Sequence, residues 1–366
     1  LNNLKRIGGI ELPPHSEILG SENQYFYRNK MEYTFSNKRW LTLDEIQSEE
    51  EIAGKNALGF HVPGMFDKVI DINNCYLQKE PSNAIRLSVK QFADENNLTY
   101  FDIRNQEGLL RNLMIKTSST NDLMVLVQFY EDDEKNINFL MEHIKTTFPE
   151  ITSLLYIINQ KANNTMYDQE VICYNGKDHI MEEMNGLLFK IGAKSFFQTN
   201  SEQAEILYRK TKELAQITEN DLVYDLYTGT GTIAQFIAKQ AKHVVGIDSV
   251  EEGIKAAYEN AENNNINNCT FYTGDMRDIF SDEFITKNGT PDIIITDPPR
   301  DGMHKKVVEQ ILKIGAKRIV YVSCNSATQA RDLSLMDTLY KVTHIQPLDM
   351  FPQTHHVENI VVLELK

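Results

Sequence analysis

The chain is poor in cysteine, in positive charge and in long apolar runs, and each shortage excludes something. Its four cysteines, Cys75, Cys173, Cys269 and Cys324, are spread over 366 residues and form no C-x-x-C pair. That spacing argues against a zinc ribbon or a disulfide framework and suits a reducing cytoplasm. Lysine and arginine number 37 against 52 aspartates and glutamates, a net charge of −15. A surface of that sign disfavours nonspecific nucleic-acid binding, although a local basic groove could still supply phosphate contacts. No apolar run approaches the roughly 20 residues a membrane helix needs. The charges of Lys5 and Arg6 are followed by no signal-peptide core. The first residue is Leu1 rather than Met, so the sequence is expected to be a piece trimmed from a longer protein.

What is present is the composition of a soluble globular protein, 41% hydrophobic and 24% charged. The length favours two domains. From Asp221 onward, strand and helix patterns alternate: strands at 223–227, 244–247, 269–272, 293–296 and 319–322, helices at 232–240, 251–264, 307–314 and 327–336. Two late strands, 342–348 and 360–365, flank a short loop that carries Glu358. This is the pattern of an α/β, doubly wound, Rossmann-like sheet that ends in an antiparallel hairpin. The first half differs, with strands expected at 31–36, 69–72, 113–117, 123–130 and 154–159 and helices at 84–95 and 137–147. We therefore expect an α+β domain over residues 1–190 and the doubly wound domain over 191–366, with a soft boundary near 186–193.

Three motifs carry chemistry. In Asp225-Leu226-Tyr227-Thr228-Gly229-Thr230-Gly231-Thr232, a strand turns into a helix, and Gly229 and Gly231 let the backbone approach a ligand closely. Asp248 ends the next strand, where an acidic side chain can hold ribose hydroxyls. Alone, this element fits S-adenosylmethionine and NAD equally well, and a bare turn without ligand is a third reading. Asp297-Pro298-Pro299-Arg300 favours the first, because two prolines after an acidic strand end make a stiff loop of the kind methyltransferases set beside a target base. Cys324 closes a strand at the edge where open sheets bind ligands. The following helix N-terminus, with Arg331 on that helix, is expected to lower its pKa. Glu358, read alone, is a solvated loop carboxylate, and His355 and His356 read as surface histidines before phosphate contacts. No metal site is indicated.

Taken in order, Asp-x-x-x-Gly-x-Gly, Asp297-Pro-Pro-Arg300, Val322-Ser-Cys-Asn325 and Asp349-Met-Phe-Pro352 with His356-Val-Glu358 resemble the RNA 5-methyluridine methyltransferases. Tyr27-Arg-Asn-Lys-Met-Glu32, Gly59-Phe-His61 and Phe196-Phe-Gln-Thr-Asn200 extend the resemblance over nearly the whole chain. The resemblance implies S-adenosylmethionine as cofactor, held by Gln198, Tyr227, Asp248 and Asp297, with Gly229, Gly231, Thr232 and Asp275 as further cofactor positions. It implies Cys324 as nucleophile and Glu358 as base, acting on carbon 5 of a uridine that is flipped into the site. The α+β domain would then face RNA. The context of Met350 to Gln353 and the cysteine pattern resemble the 23S ribosomal RNA members more than those that modify transfer RNA. Ribosomal members often carry an N-terminal barrel and an iron–sulfur cluster. Cys75 matches the fourth cluster ligand, but the other three are missing from this sequence, so a free Cys75 is expected here. A monomeric cytoplasmic enzyme is the implied whole. An RNA-binding assembly factor without turnover is the rival of another class, and an NAD oxidoreductase a weaker one.

Overall fold

The computed structural model describes residues 2–48 and 54–366. The chain divides into two units, one of Leu1–Gln24, Glu183–Lys190 and Ser195–Lys366, the other of Tyr25–Glu182 and Ile191–Lys194. A single cut near residue 190 misses residues 2–24, which belong with the C-terminal unit. Helix α1 (Asn2–Arg6) buries Leu4 there. The extended segment after it is tied by backbone: Ser16 N–H donates to the Ile345 carbonyl (2.9 Å), Leu19 N–H to Pro347 (3.0 Å), and Asp349 N–H back to Leu19 (2.9 Å). Such bonds need no apolar alternation, so periodicity gives no sign of them.

The α+β unit comprises β1 (Lys30–Ser36), α2 (Leu43–Gln47), β2 (Ala57–Val62), β3 (Met65–Asp71), α3 (Ser82–Glu95), β4 (Leu110–Thr117), β5 (Leu123–Phe129), α4 (Glu134–Thr147), β6 (Ser153–Ile158) and β7 (Ile172–Gly176). Its sheet runs β3-β2-β1-β4-β5-β6-β7, antiparallel except for the parallel pair β5–β6, which α4 connects. Helix spacing explains the core: Ile85, Val89 and Ala93 of α3 and Ile137, Leu140, Met141 and Ile144 of α4 form single apolar faces. Cys75 is buried here, its N–H and carbonyl both bonded by the Asn83 side chain at 2.8 and 3.1 Å.

The chain leaves this unit through a hairpin, β8 (His179–Met184) and β9 (Leu187–Gly192). Asn185 and Gly186, both at positive φ, make the two-residue turn whose twist suits adjacent strands.

The second unit continues with α5 (Ser201–Ala215), β10 (Leu222–Leu226), α6 (Thr232–Ala238), β11 (His243–Asp248), α7 (Glu251–Asn263), β12 (Cys269–Thr273), α8 (Met276–Ile279), α9 (Asp282–Asn288), β13 (Ile293–Thr296), α10 (Lys305–Ile314), β14 (Arg318–Ser323), α11 (Ser326–Met336), β15 (Tyr340–Leu348) and β16 (Glu358–Leu365). The order β12-β11-β10-β13-β14-β16-β15 is parallel over its first five strands, with β16 inserted antiparallel between β14 and β15. Alternate strand residues feed two layers. Val223, Val244, Ile293 and Val320 pack toward α5, α6 and α7, while Tyr224, Val245, Ile294 and Ile319 pack toward α10 and α11. Successive strands move outward from β10 in one direction and then from β13 in the other, so the sheet has its switch point between β10 and β13. Among the described residues no helix is long and apolar enough to cross a membrane.

Candidate active site

At the switch point the last paired residue of β10, Leu226, lies opposite Ile247 of β11 and Thr296 of β13. The next residue on each strand is Tyr227, Asp248 and Asp297 respectively, so these three stand in a row along the carboxyl edge. Two strands further across, Ser323 of β14 pairs with Asn359 of β16. One step beyond that rung come Cys324 and Glu358. Glu358 is the first residue of β16 and is buried, so it is not the solvated loop carboxylate its bare sequence context suggests.

The glycine turn is built from left-handed residues: Tyr227 at φ 65°, Gly229 at 57° and Gly231 at 76°. At Gly231 a Cβ would lie 2.9 Å from Ala257 Cβ and 3.0 Å from the Phe271 ring, so only glycine lets α7 and β12 close on the turn. Asp248 steadies the turn, its two oxygens accepting the N–H groups of Gly229 and Val250 at 2.9 Å each. Each oxygen keeps a further lone pair for a hydroxyl. Beneath the turn, Asp225 accepts from Thr228 Oγ1 (2.6 Å) and the Ala234 N–H (3.0 Å), while its Oδ1 is buried with no partner among the described residues. Burial, and then the Asp248 charge, push Asp225 up to about 7. Thr232 opens α6, its hydroxyl 3.2 Å from that of Thr230. An orphaned buried acceptor, a held ribose-type carboxylate and a turn that excludes side chains together fit a nucleoside cofactor with hydroxyl and amino donors. Asp275 caps α8, and its carboxylate is already engaged by Arg277.

Gln198 precedes α5 and lies beside the phenol of Tyr208, whose ionisation it eases. Its segment is fixed by two side chains: Asn200 donates to the Met350 carbonyl (2.9 Å) and Gln203 to that of Asp349 (2.7 Å). The Phe196 to Asn200 and Asp349 to Pro352 motifs are thus two halves of one contact. Burial, followed by the charges of Asp297, Glu358 and Asp225, raises the Tyr208 phenol far above its ordinary value, so it stays a donor. Tyr208 is a site residue that the sequence does not reveal, because α5 lies ahead of the strand–helix alternation that begins at residue 221.

The loop after Asp297 is clamped by α11. Asn325 Nδ2 and Thr328 Oγ1 donate to the Arg300 carbonyl (2.9 and 3.1 Å), and Arg331 Nη2 donates to the carbonyls of Asp301 and Met303 (2.9 and 3.0 Å). Arg331 also pairs with Asp332, which is itself buried and bonded to Tyr321 and the Met303 N–H. Arg331 therefore holds the loop, and the cation that eases ionisation of Cys324 is Arg300. The thiol is nevertheless pushed above its usual value, by burial first and then by Glu358 and Asp297. The sequence-based expectation of a lowered thiol pKa is thereby reversed, because desolvation and two carboxylates outweigh the helix N-terminus. Glu358 is raised to about 7 by burial, with Arg300 pulling the other way. Asp297 is raised well above the carboxylate range by burial and by its neighbours Glu358 and Asp225. The site is thus a thiol among carboxyls raised by burial, of which Glu358 is poised to exchange a proton near neutrality. Among the described residues no group of three or more His, Cys, Asp or Glu side chains is placed to hold a metal ion.

Residues 175–366 match the family model described as tRNA (uracil-5-)-methyltransferase. The whole chain is 57% identical to an uncharacterised RNA methyltransferase of Bacteroides thetaiotaomicron, covering 81% of that protein. It is 39% identical over 99% of its length to one of Chlorobaculum tepidum, covering 76%. The crystal structure of Pyrococcus abyssi tRNA (uracil-54, C5)-methyltransferase with S-adenosyl-L-homocysteine superposes with a TM-score of 0.77 at 31% identity, over 99% of this chain and 81% of that one.

Proposed function

The chain belongs to the RNA uracil-5-methyltransferase family, and from that premise we propose how its residues carry the reaction and on which RNA. It is an S-adenosylmethionine-dependent RNA methyltransferase. Carbon 5 of uracil is a poor nucleophile until a group adds at carbon 6. The Cys324 thiolate adds there, and the ring becomes an enolate. S-adenosylmethionine, when bound, supplies the methyl group that carbon 5 takes. Glu358 then removes the proton from carbon 5, and the carbon–sulfur bond breaks to return the thiolate and the aromatic-like ring. Asp297, whose burial among carboxyls favours its protonated form, is suited to donate a hydrogen bond to a uracil oxygen as negative charge builds on it. Gln198, Tyr227, Asp248, Gly229, Gly231 and Thr232 hold the cofactor, with Asp275 at the margin of the site. The α+β unit contributes RNA contacts.

The single observation that carries this reading is the placement of Cys324 and Glu358 one step past a shared rung of β14 and β16, beside the Asp297 strand end. The substrate we propose is a uridine of 23S ribosomal RNA, supported by the Met350 to Gln353 context and by Cys75. A uridine in transfer RNA is the second reading, favoured by the likeness to the Pyrococcus enzyme over 99% of the chain. Mapping 5-methyluridine in both RNAs from a strain lacking the gene decides between them. Loss from 23S RNA alone supports the first reading, and loss from transfer RNA alone replaces it with the second. An unchanged pattern in both, with no methyl transfer in vitro, would favour the assembly-factor reading.

A further inference from the structure

In a chain with 15 more acidic than basic side chains, the cleft at Cys324 is an exception. It encloses about 650 Å³, and none of the described residues that line it is acidic. Four of them are cationic or can become so: Arg300, His355, His356 and, from the N-terminal segment, His15. The segment that brings His15 there is anchored on both sides of it. Asn3 donates to Ser326 Oγ (2.9 Å) beside the nucleophile, and Ser16 and Leu19 bond to the backbone of β15. His15 Nδ1 lies 2.9 Å from the Ser16 carbonyl, which fixes the ring and leaves Nε2 unengaged by that bond. The His355 and His356 rings lie against each other, with centroids 4.2 Å apart. Burial and the neighbouring His355 and Arg300 hold His356 below its ordinary value. Cationic and protonatable groups gathered on a lining that carries no acidic residue favour an anion that enters between them.

We infer that His15, His355, His356 and Arg300 form a phosphodiester-binding subsite that grips the RNA backbone beside the uridine presented to Cys324. This rests on the reading of Cys324 as the group that meets the uridine. A flipped nucleotide stays joined to its strand by two phosphates, so a base pocket with a cationic rim holds the nucleotide by both ends. The subsite also assigns a role to residues 2–19: they complete a cleft of which the doubly wound sheet supplies only part.

The test compares binding of a uridine oligonucleotide with that of the same oligomer carrying an uncharged methylphosphonate backbone. The full chain should prefer the phosphodiester by at least about tenfold, a preference that shrinks as salt rises. The variant His15→Asn/His355→Asn/His356→Asn should lose most of that preference, and its log–log salt slope should fall by roughly one phosphate contact or more. Its affinity for S-adenosylmethionine, measured in parallel, reports that the fold is intact. Equal binding of both oligomers by the unaltered chain overturns the proposal and needs no variant. So does a folded triple variant that keeps the full preference. Methyl transfer to uridine by the unaltered chain is scored separately, so failure of the subsite is distinguishable from failure of the proposed reaction.

Discussion

Cys324 and Glu358 sit one residue beyond the Ser323–Asn359 rung on neighbouring antiparallel strands. At that position, opposed residues of an antiparallel pair have Cα atoms about 4.5–5.5 Å apart. A buried carboxyl held so close to a partly buried thiol raises the thiol's cost of ionisation. The relationship sets the pH behaviour, the mutational behaviour and the order of proton transfers.

Replacing Cys324 with Ala should abolish methyl transfer, by on the order of a thousandfold or more, while S-adenosylmethionine still binds. The side chain lies at the end of β14, two strands from Tyr227 and the glycine turn. Single-turnover assays with labelled cofactor, beside calorimetric titration of the cofactor, separate the two effects. Retention of a tenth of the activity would mean the thiol is not the nucleophile.

The pH–rate profile should rise across neutrality. Glu358 must lose a proton with a pKa of about 7, and Cys324 must ionise from a raised value. Activity therefore climbs from pH 6 to pH 9, steeper than a single ionisation at its acid end. A profile flat from pH 5.5 upward would contradict the burial of Glu358.

Glu358 also affects stability, with a definite sign. Its folded pKa, about 7, lies above its ordinary 4.5, so the native state holds a proton that the unfolded chain releases. The contribution is fully present below pH 4.5 and is lost as pH rises through 7. At pH 8 the buried carboxylate costs on the order of 3 kcal/mol. Glu358→Gln should consequently raise the melting temperature more at pH 8 than at pH 5. An equal shift at the two pH values would show that the carboxyl is not desolvated.

Gly231→Ala should destabilise the fold and weaken the cofactor together. The added Cβ meets Ala257 and Phe271 at 2.9–3.0 Å, at a φ of 76° that L-residues disfavour. A cost of about 1–3 kcal/mol is expected, with cofactor affinity falling at least tenfold. Thermal melts with and without S-adenosylmethionine check both halves. A variant with an unchanged melt would show that α7 and β12 yield to the methyl group.

Much of this was legible in the sequence because open sheets write their chemistry at strand ends. Tyr227, Asp248, Asp297 and Cys324 each follow a short apolar run, and the runs at 293–296 and 319–322 coincide with or fall within β13 and β14. Glu358 was harder to read, since a first strand residue after a long turn looks like loop until its partner strand is known. The expectation of Arg331 as the thiol's cation fails because sequence shows the helix it sits on but not the carbonyls of Asp301 and Met303 that its guanidinium holds. His15 and Tyr208 left no signal. One lies in an extended segment held by backbone bonds, and the other points from α5 into a cluster assembled by four other segments.

The central claim is covalent catalysis by Cys324 with Glu358 as the base that releases the product. Incubating Glu358→Gln with RNA and S-adenosylmethionine, then mapping the digested protein by mass spectrometry, tests it directly. The account predicts a peptide carrying Cys324 joined to a uridine nucleotide that has gained one methyl group, because elimination waits on a proton acceptor at carbon 5. Methylated RNA released at the unaltered rate, or loss of methylation with no modified Cys324 peptide, would contradict it.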